Sequence, residues 1–299
     1  MSFAEIFSNY TFLVVASASA LLGVVSAVLG SFAVLRKQSL IGDAVSHSAL
    51  PGIAAAFIVF QTKSLPVLLA GALISGIASV LLINLVTKRS KIKFDSALAL
   101  VMSVFFGLGL VLLTYIQKIP NSNQAGLNKF IFGQASTMLI SDAYMIFAAC
   151  LFLTFIVALF WKEFKLVSFD PEFAATLGFP IKSIELALSL MLVAVTVLGI
   201  QTVGAVLMSA MLIAPAVAAR QWTKKLWVMV VLASGFGAVS GVLGTIASAY
   251  FTKIPTGPSI IIFASVFALS SLFIAPKRGI LSKIISRKKQ KKLLGERKP

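Results

Sequence analysis

The chain has 299 residues, 59% of them hydrophobic and only 12% charged, yet it carries a formal charge of +17. That balance excludes a soluble globular domain, in which about a quarter of residues are charged. A single cysteine, Cys150, excludes a disulfide framework or a CxxC metal site, the lack of any Gly-Lys dipeptide excludes a P-loop, and the one histidine, His47, excludes HExxH chemistry.

Apolar stretches long enough to cross a bilayer, which takes about 20 residues, recur along the sequence. Hydropathy predicts helices near 10–34, 44–62, 65–87, 96–117, 139–161, 183–201, 203–219, 226–250 and 258–276. The first apolar run continues as a span, so it reads as a membrane segment rather than a removed signal peptide. Residues 184–219 as one helix would extend about 54 Å at 1.5 Å per residue, too long for one crossing, and Gln201-Thr202 followed by Gly204 supplies a turn. The expected fold is all-α: a polytopic helical membrane protein of eight or nine transmembrane helices. It divides into a membrane domain, 1–276, and a basic tail, 277–299.

Positive charge orients the loops. Arg36-Lys37, the run Lys88 to Lys93, the segment Lys162 to Lys182, Arg220 to Lys225 and the C-terminal tail are assigned to the cytoplasm. Segments 118–136 and 251–257 then lie outside. The tail holds ten Lys or Arg and one acid, Glu296; it reads as cytoplasmic retention beside anionic lipid, not as a nucleic-acid site. Small residues at Gly23, Ala27 and Gly30, and at Gly237 and Gly241 beside Gly235 and Gly244, mark close helix contacts. These serve either packing within the chain or a dimer seam. Asp95 and Asp142 read as acids favoured at helix N-termini.

Two segments carry chemistry. In Ser39-Leu40-Ile41-Gly42-Asp43-Ala44-Val45-Ser46-His47-Ser48-Ala49-Leu50-Pro51-Gly52, Asp43 and His47 lie one helical turn apart on one face. Ionisable residues at membrane depth are costly and mark function by default. Imidazole with carboxylate suits Mn, Fe or Zn better than Cu(I). Pro51 has no N–H, so the His47 carbonyl loses its intrahelical partner. Two readings stand: half of a metal site completed by a second copy, or a pair that bonds internally and caps a helix. The charge count places Asp43 six residues after Lys37. Hence either the first loop dips into the bundle, or Arg36-Lys37 do not lie at the inner surface.

In the second segment, Asp170 is a natural N-cap, Pro171 a first helical residue and Glu172 a first-turn acid, while Gly178 and Pro180 stop the helix. This predicts a short cytoplasmic helix near 169–179 with Phe173, Ala174 and Leu177 on one side. Its apolar side either binds a partner or lies on the bilayer.

With these motifs the sequence resembles the membrane permeases of ABC-type manganese, zinc and iron importers. The likeness runs through Gly30-Ser31-Phe32-Ala33-Val34-Leu35-Arg36-Lys37, the 39–52 segment, Phe132-Gly133-Gln134 and Phe169-Asp170-Pro171-Glu172-Phe173-Ala174. It continues through Gln201-Thr202-Val203-Gly204, Leu212-Ile213-Ala214-Pro215-Ala216, Pro255-Thr256-Gly257-Pro258 and Ala275-Pro276-Lys277-Arg278-Gly279. The resemblance implies a homodimeric permease in the cytoplasmic membrane, served by cytoplasmic ATP-binding subunits and an extracytoplasmic metal-binding protein. It implies metal coordination by Asp43 and His47 in the translocation path, with no permanently bound cofactor. It implies ATPase coupling through Asp170, Pro171, Glu172, Phe173, Ala174, Leu177 and Gly178. The first motif looks more like the manganese branch than the zinc branch, with Zn(II) or Fe(II) as alternatives. The competing class is a proton-coupled secondary transporter using the Asp–His pair as a relay. An intramembrane enzyme is disfavoured, because Ser46 and His47 are adjacent and point to different helix faces.

Overall fold

The computed structural model describes residues 10–62, 64–118, 138–251, 254–276 and 279–282, and every long element among them is a helix. In chain order these are α1 (Tyr10–Leu35), α2 (Ile41–Phe60), α3 (Leu65–Arg89), α4 (Phe94–Gln117), α5 (Ile140–Leu159), α6 (Trp161–Phe169), α7 (Pro171–Thr176), α8 (Ile181–Ile200), α9 (Ala205–Trp222), α10 (Leu226–Tyr250) and α11 (Thr256–Ile274). Helices are the outcome expected of lipid-facing segments, where each backbone N–H and C=O must be paired within the segment. Eight of them are long and apolar enough to cross a membrane. The 18-residue α9, with Pro215 inside it, runs between the same two ends. The Phe132-Gly133-Gln134 motif, Lys277-Arg278 and the tail from 283 onward lie outside the described residues.

Side-chain contacts define the two ends. At one, Arg36 pairs with Glu185 at 2.8 Å, Arg220 donates to the Val34 carbonyl at 3.2 Å, and the Trp222 indole donates to Ser271 Oγ at 3.0 Å. Lys88 and Lys182 border the same cavity as Arg36. Arg36, Lys88, Lys182 and Arg220, from four of the basic segments expected on one side, therefore do gather there. At the other end Gln201 Nε2 donates to Asp142 Oδ2 at 3.1 Å, and the Ser248 hydroxyl donates to the Ile254 carbonyl at 2.8 Å. The long helices alternate between these ends, which the positive-inside rule makes cytoplasmic and external respectively.

Helices α1, α2 and α8 form the inside of the bundle, whereas α4, α5 and α11 expose most of their surface. Helix α9 packs against α1, α2, α10 and α11, burying Met208, Met211, Leu212, Ala216 and Ala219. The small residues explain how inner helices come so close. A Cβ on Gly23 would overlap the Gly237 carbonyl, one on Gly237 would overlap that of Gly23, and one on Gly241 would press on Ser19. Gly237 and Gly241 of α10 thus serve the α1–α10 contact within one chain, Gly244 meets Ile260 of α11, and Gly235 faces open space.

Two local outcomes depart from expectation. Helix α2 begins at Ile41, three residues earlier than hydropathy predicts, so Asp43 lies inside it. Asp43, an acid in the first turn, lowers the hydropathy there and hides the start; one turn on, Ser46 Oγ donates to the Gly42 carbonyl at 2.8 Å. The fifth span ends at Leu159, and a separate helix, α6, follows the bend at Phe160. Its buried Phe164 meets Phe32 of α1 edge-on, with ring centroids 6.1 Å apart.

Candidate functional site

Asp43 and His47 face the same way from the first two turns of α2. His47 Nε2 stands 3.6 Å from Asp43 Oδ1, beyond hydrogen-bond reach. The two groups make no hydrogen bond but lie within ion-pair distance. His47 Nδ1 is buried and has no hydrogen-bond partner among the described residues, while the imidazole edge rests on Phe106 of α4, centroids 4.8 Å apart at 77°. The side chains are 19% (His47) and 33% (Asp43) exposed, so the pair borders an open face. It offers one imidazole nitrogen and one carboxylate, and no group of three or more His, Cys, Asp or Glu side chains suited to a metal occurs among the described residues. Tetrahedral or octahedral ions need more ligands than two. The described residues of one chain present an incomplete donor set.

The depth of this pair follows from its neighbours. Phe106 lies midway along α4, and Ser75, whose hydroxyl donates to the Ser48 carbonyl at 2.5 Å, lies midway along α3. His47 is thus near the centre of the bundle. The charged Arg36 so close in sequence is reconciled by a recessed turn. Arg36, Gln38 and Ile41 share a cavity with Val80, Ile83 and Asn84 of α3 and with Ser189 of α8. Arg89, the last residue of α3, is five residues beyond Asn84, about 8 Å at 1.5 Å per residue. The loop dips into the bundle. Burial pulls the Arg36 guanidinium below its ordinary pKa, and Glu185 partly restores it by charge and hydrogen bond.

Pro51 sits inside α2, and around it three helices close in. Cβ atoms on Gly52 and Gly71 would each overlap the other's carbonyl, and one on Gly109 of α4 would press on Leu50 and Pro51. Pro51 removes the intrahelical partner of the His47 carbonyl, and the next carbonyl, that of Ser48, accepts from Ser75 of α3.

At the cytoplasmic end, α7 is a helix of six residues. Asp170 Oδ1 accepts from the Phe173 N–H at 2.9 Å, Pro171 is the first helical residue, Glu172 follows, and Gly178 ends the element at φ +81°. Phe173 and Leu177 are 52% and 55% exposed, whereas Ala174 is fully buried. Ala174 therefore does not share the outer side with them, because the short helix uses it to seat against the neighbouring helices. Sequence reasoning missed Phe106, Ser75 and the Arg36–Glu185 pair. Only Glu185, a lone acid opening an apolar span, carried a visible signal.

Comparison with known proteins agrees with this architecture. The chain is 46% identical over 285 residues to a zinc transport system membrane protein of Treponema pallidum, covering 95% of this chain and 96% of that protein. It is 47% identical over 265 residues to a manganese transport system membrane protein of Bacillus subtilis, covering 89% and 61%. The solved structure of PsaBC from Streptococcus pneumoniae in complex with Fab superposes with a TM-score of 0.81 at 31% identity, covering 92% of this chain and 97% of that one. The ABC 3 transport family profile matches residues 9–275, and the chain, a multi-pass protein of the cell membrane, belongs to that family.

Proposed function

We propose that the chain is the permease subunit of an ATP-driven importer of a divalent transition metal, Mn(II) first, with Zn(II) and Fe(II) as the alternatives. The carrying observation is the Asp43–His47 pair: mid-bundle, 3.6 Å apart without a hydrogen bond, and lacking, among the described residues, the further ligands that would hold an ion permanently. A path site must release as well as bind, so a sparse set of imidazole and carboxylate donors suits transit. A second copy, arranged as a homodimer, would bring the same two donors and complete the set. Metal is cargo here, and no resident cofactor is required.

On this reading ATP is hydrolysed in separate cytoplasmic subunits, and an extracytoplasmic binding protein delivers the ion. Asp170, Pro171, Glu172, Phe173, Ala174, Leu177 and Gly178 form the coupling element: Asp170, Pro171 and Glu172 start it, Ala174 seats it, Gly178 ends it, and Phe173 and Leu177 present its apolar contact. Membership in an ABC family speaks against a proton-coupled carrier, which would transport without an ATPase partner. The test is cellular Mn, Zn and Fe content in a strain deleted for this chain and complemented with wild type, Asp43→Ala or His47→Ala. Uptake is expected to fall to the deletion level while co-purification with the ATP-binding subunit persists. Normal uptake by both variants sinks the metal-site assignment.

A further inference from the structure

The recessed turn between α1 and α2 roofs a cavity of about 230 Å³ at the cytoplasmic end, closed on its sides by α3 and α8. The cavity is lined by the Arg36–Glu185 ion pair, of which Arg36 is nearly buried and Glu185 partly exposed, with Ile41, Val80, Ile83 and Leu186 as apolar wall. Its rim carries Lys88 and Lys182, neither in an ion pair among the described residues, with Asn84 and Ser183 beside them as neutral hydrogen-bonding groups. Glu185, the one acid lining the cavity, is held by Arg36. The cavity is therefore net positive, which makes it a poor exit for a divalent cation and a good seat for an anion. Leu81, 48% exposed on the bundle surface, carries the apolar wall outward toward lipid. A basic rim above an apolar wall matches a phosphate group attached to acyl chains better than a free ion. The volume is below the 300 Å³ or so at which drug-sized ligands fit, and suits a single headgroup.

We propose that this cavity binds the phosphate group of an anionic phospholipid from the cytoplasmic leaflet, with Lys88 and Lys182 as its charge partners and Asn84 and Ser183 as hydrogen-bond partners. The bound headgroup bridges two parts of the chain. One wall is the turn that leads into Asp43 and His47, and the other is the start of α8, directly after α7. Binding is a property of this cavity alone and does not depend on which ion the protein carries.

The test uses the full chain purified in neutral detergent, with lipid retention read by native mass spectrometry and the thermal midpoint read in parallel. The probes are phosphatidylglycerol, phosphatidylcholine and inorganic phosphate. Phosphatidylglycerol should be retained and raise the midpoint, while the other two should do neither. Lys88→Gln with Lys182→Gln should weaken phosphatidylglycerol binding about 30-fold, two charges at about 1 kcal/mol each. Lys88→Arg with Lys182→Arg keeps the charge and should restore binding, which separates loss of the site from loss of fold. Equal retention of phosphatidylcholine, an unchanged affinity in the Gln variant, or failure of the Arg variant to bind overturns the proposal. Full reproduction of the shift by inorganic phosphate overturns the lipid assignment.

Discussion

Asp43 and His47 were legible as a pair because spacing along a helix is a local property: four residues is one turn wherever the helix sits. What spacing could not supply was their state. An acid and an imidazole one turn apart can bond each other or stay available; here they stand 3.6 Å apart without a hydrogen bond, with Nδ1 unpartnered among the described residues and the ring against Phe106. Those depend on rotamers and on a residue 59 positions away in sequence. The same holds at Gly52, whose need for a missing side chain comes from Gly71 across the α2–α3 contact. Gly52→Val should cost about 1–3 kcal/mol through overpacking and forced separation of the two helices. It is measured as a lowered thermal midpoint of the detergent-purified chain, and an unchanged midpoint would show that the contact yields freely.

Element boundaries followed the residues that start and stop helices. Asp170-Pro171-Glu172 and Gly178 bound α7 as their chemistry requires, and Gly204, at φ +96°, separates α8 from α9 where a polar pair precedes it. Hydropathy failed at the start of α2 and after α5, both times because polar residues sit in a true helix. In α2 the first-turn acid Asp43 lowers the apolar signal. After α5, Lys162, Glu163 and Lys165 end the span but give no sign that the chain continues as the amphipathic helix α6. On α7 the exposed pair Phe173 and Leu177 should carry the contact to the ATP-binding subunit. Phe173→Ala with Leu177→Ala removes two apolar anchors worth about 1.5 kcal/mol each and should weaken co-purification roughly 100-fold. Asp170→Ala removes the cap and should loosen α7 by about 1 kcal/mol. A pull-down from membranes checks both, and full retention of the subunit by the double variant would remove α7 from the interface.

At the scale of the whole molecule, orientation is a statistical rule applied to charge, and the structure converts it into a checkable arrangement. Lys224 and Tyr250 are both exposed and lie at opposite ends of α10. In a Cys150→Ala background, a membrane-impermeant maleimide added to intact cells should modify Tyr250→Cys and leave Lys224→Cys untouched; the reverse pattern would invert the topology. By itself the sequence determined that the chain lives in a membrane, roughly where it crosses, which loops face inward, and which two side chains on one turn invite a metal. These are set by composition and by short-range periodicity, and both are present before folding. Only the tertiary structure decided that the first loop is recessed, that His47 consequently lies near mid-bundle, and that Gly237 and Gly241 of α10 pack against α1. It also showed that Arg36 is matched by Glu185 inside a basic cavity. Each of these joins residues distant in sequence through close contact of separate helices, and no local pattern encodes which helix will be the neighbour.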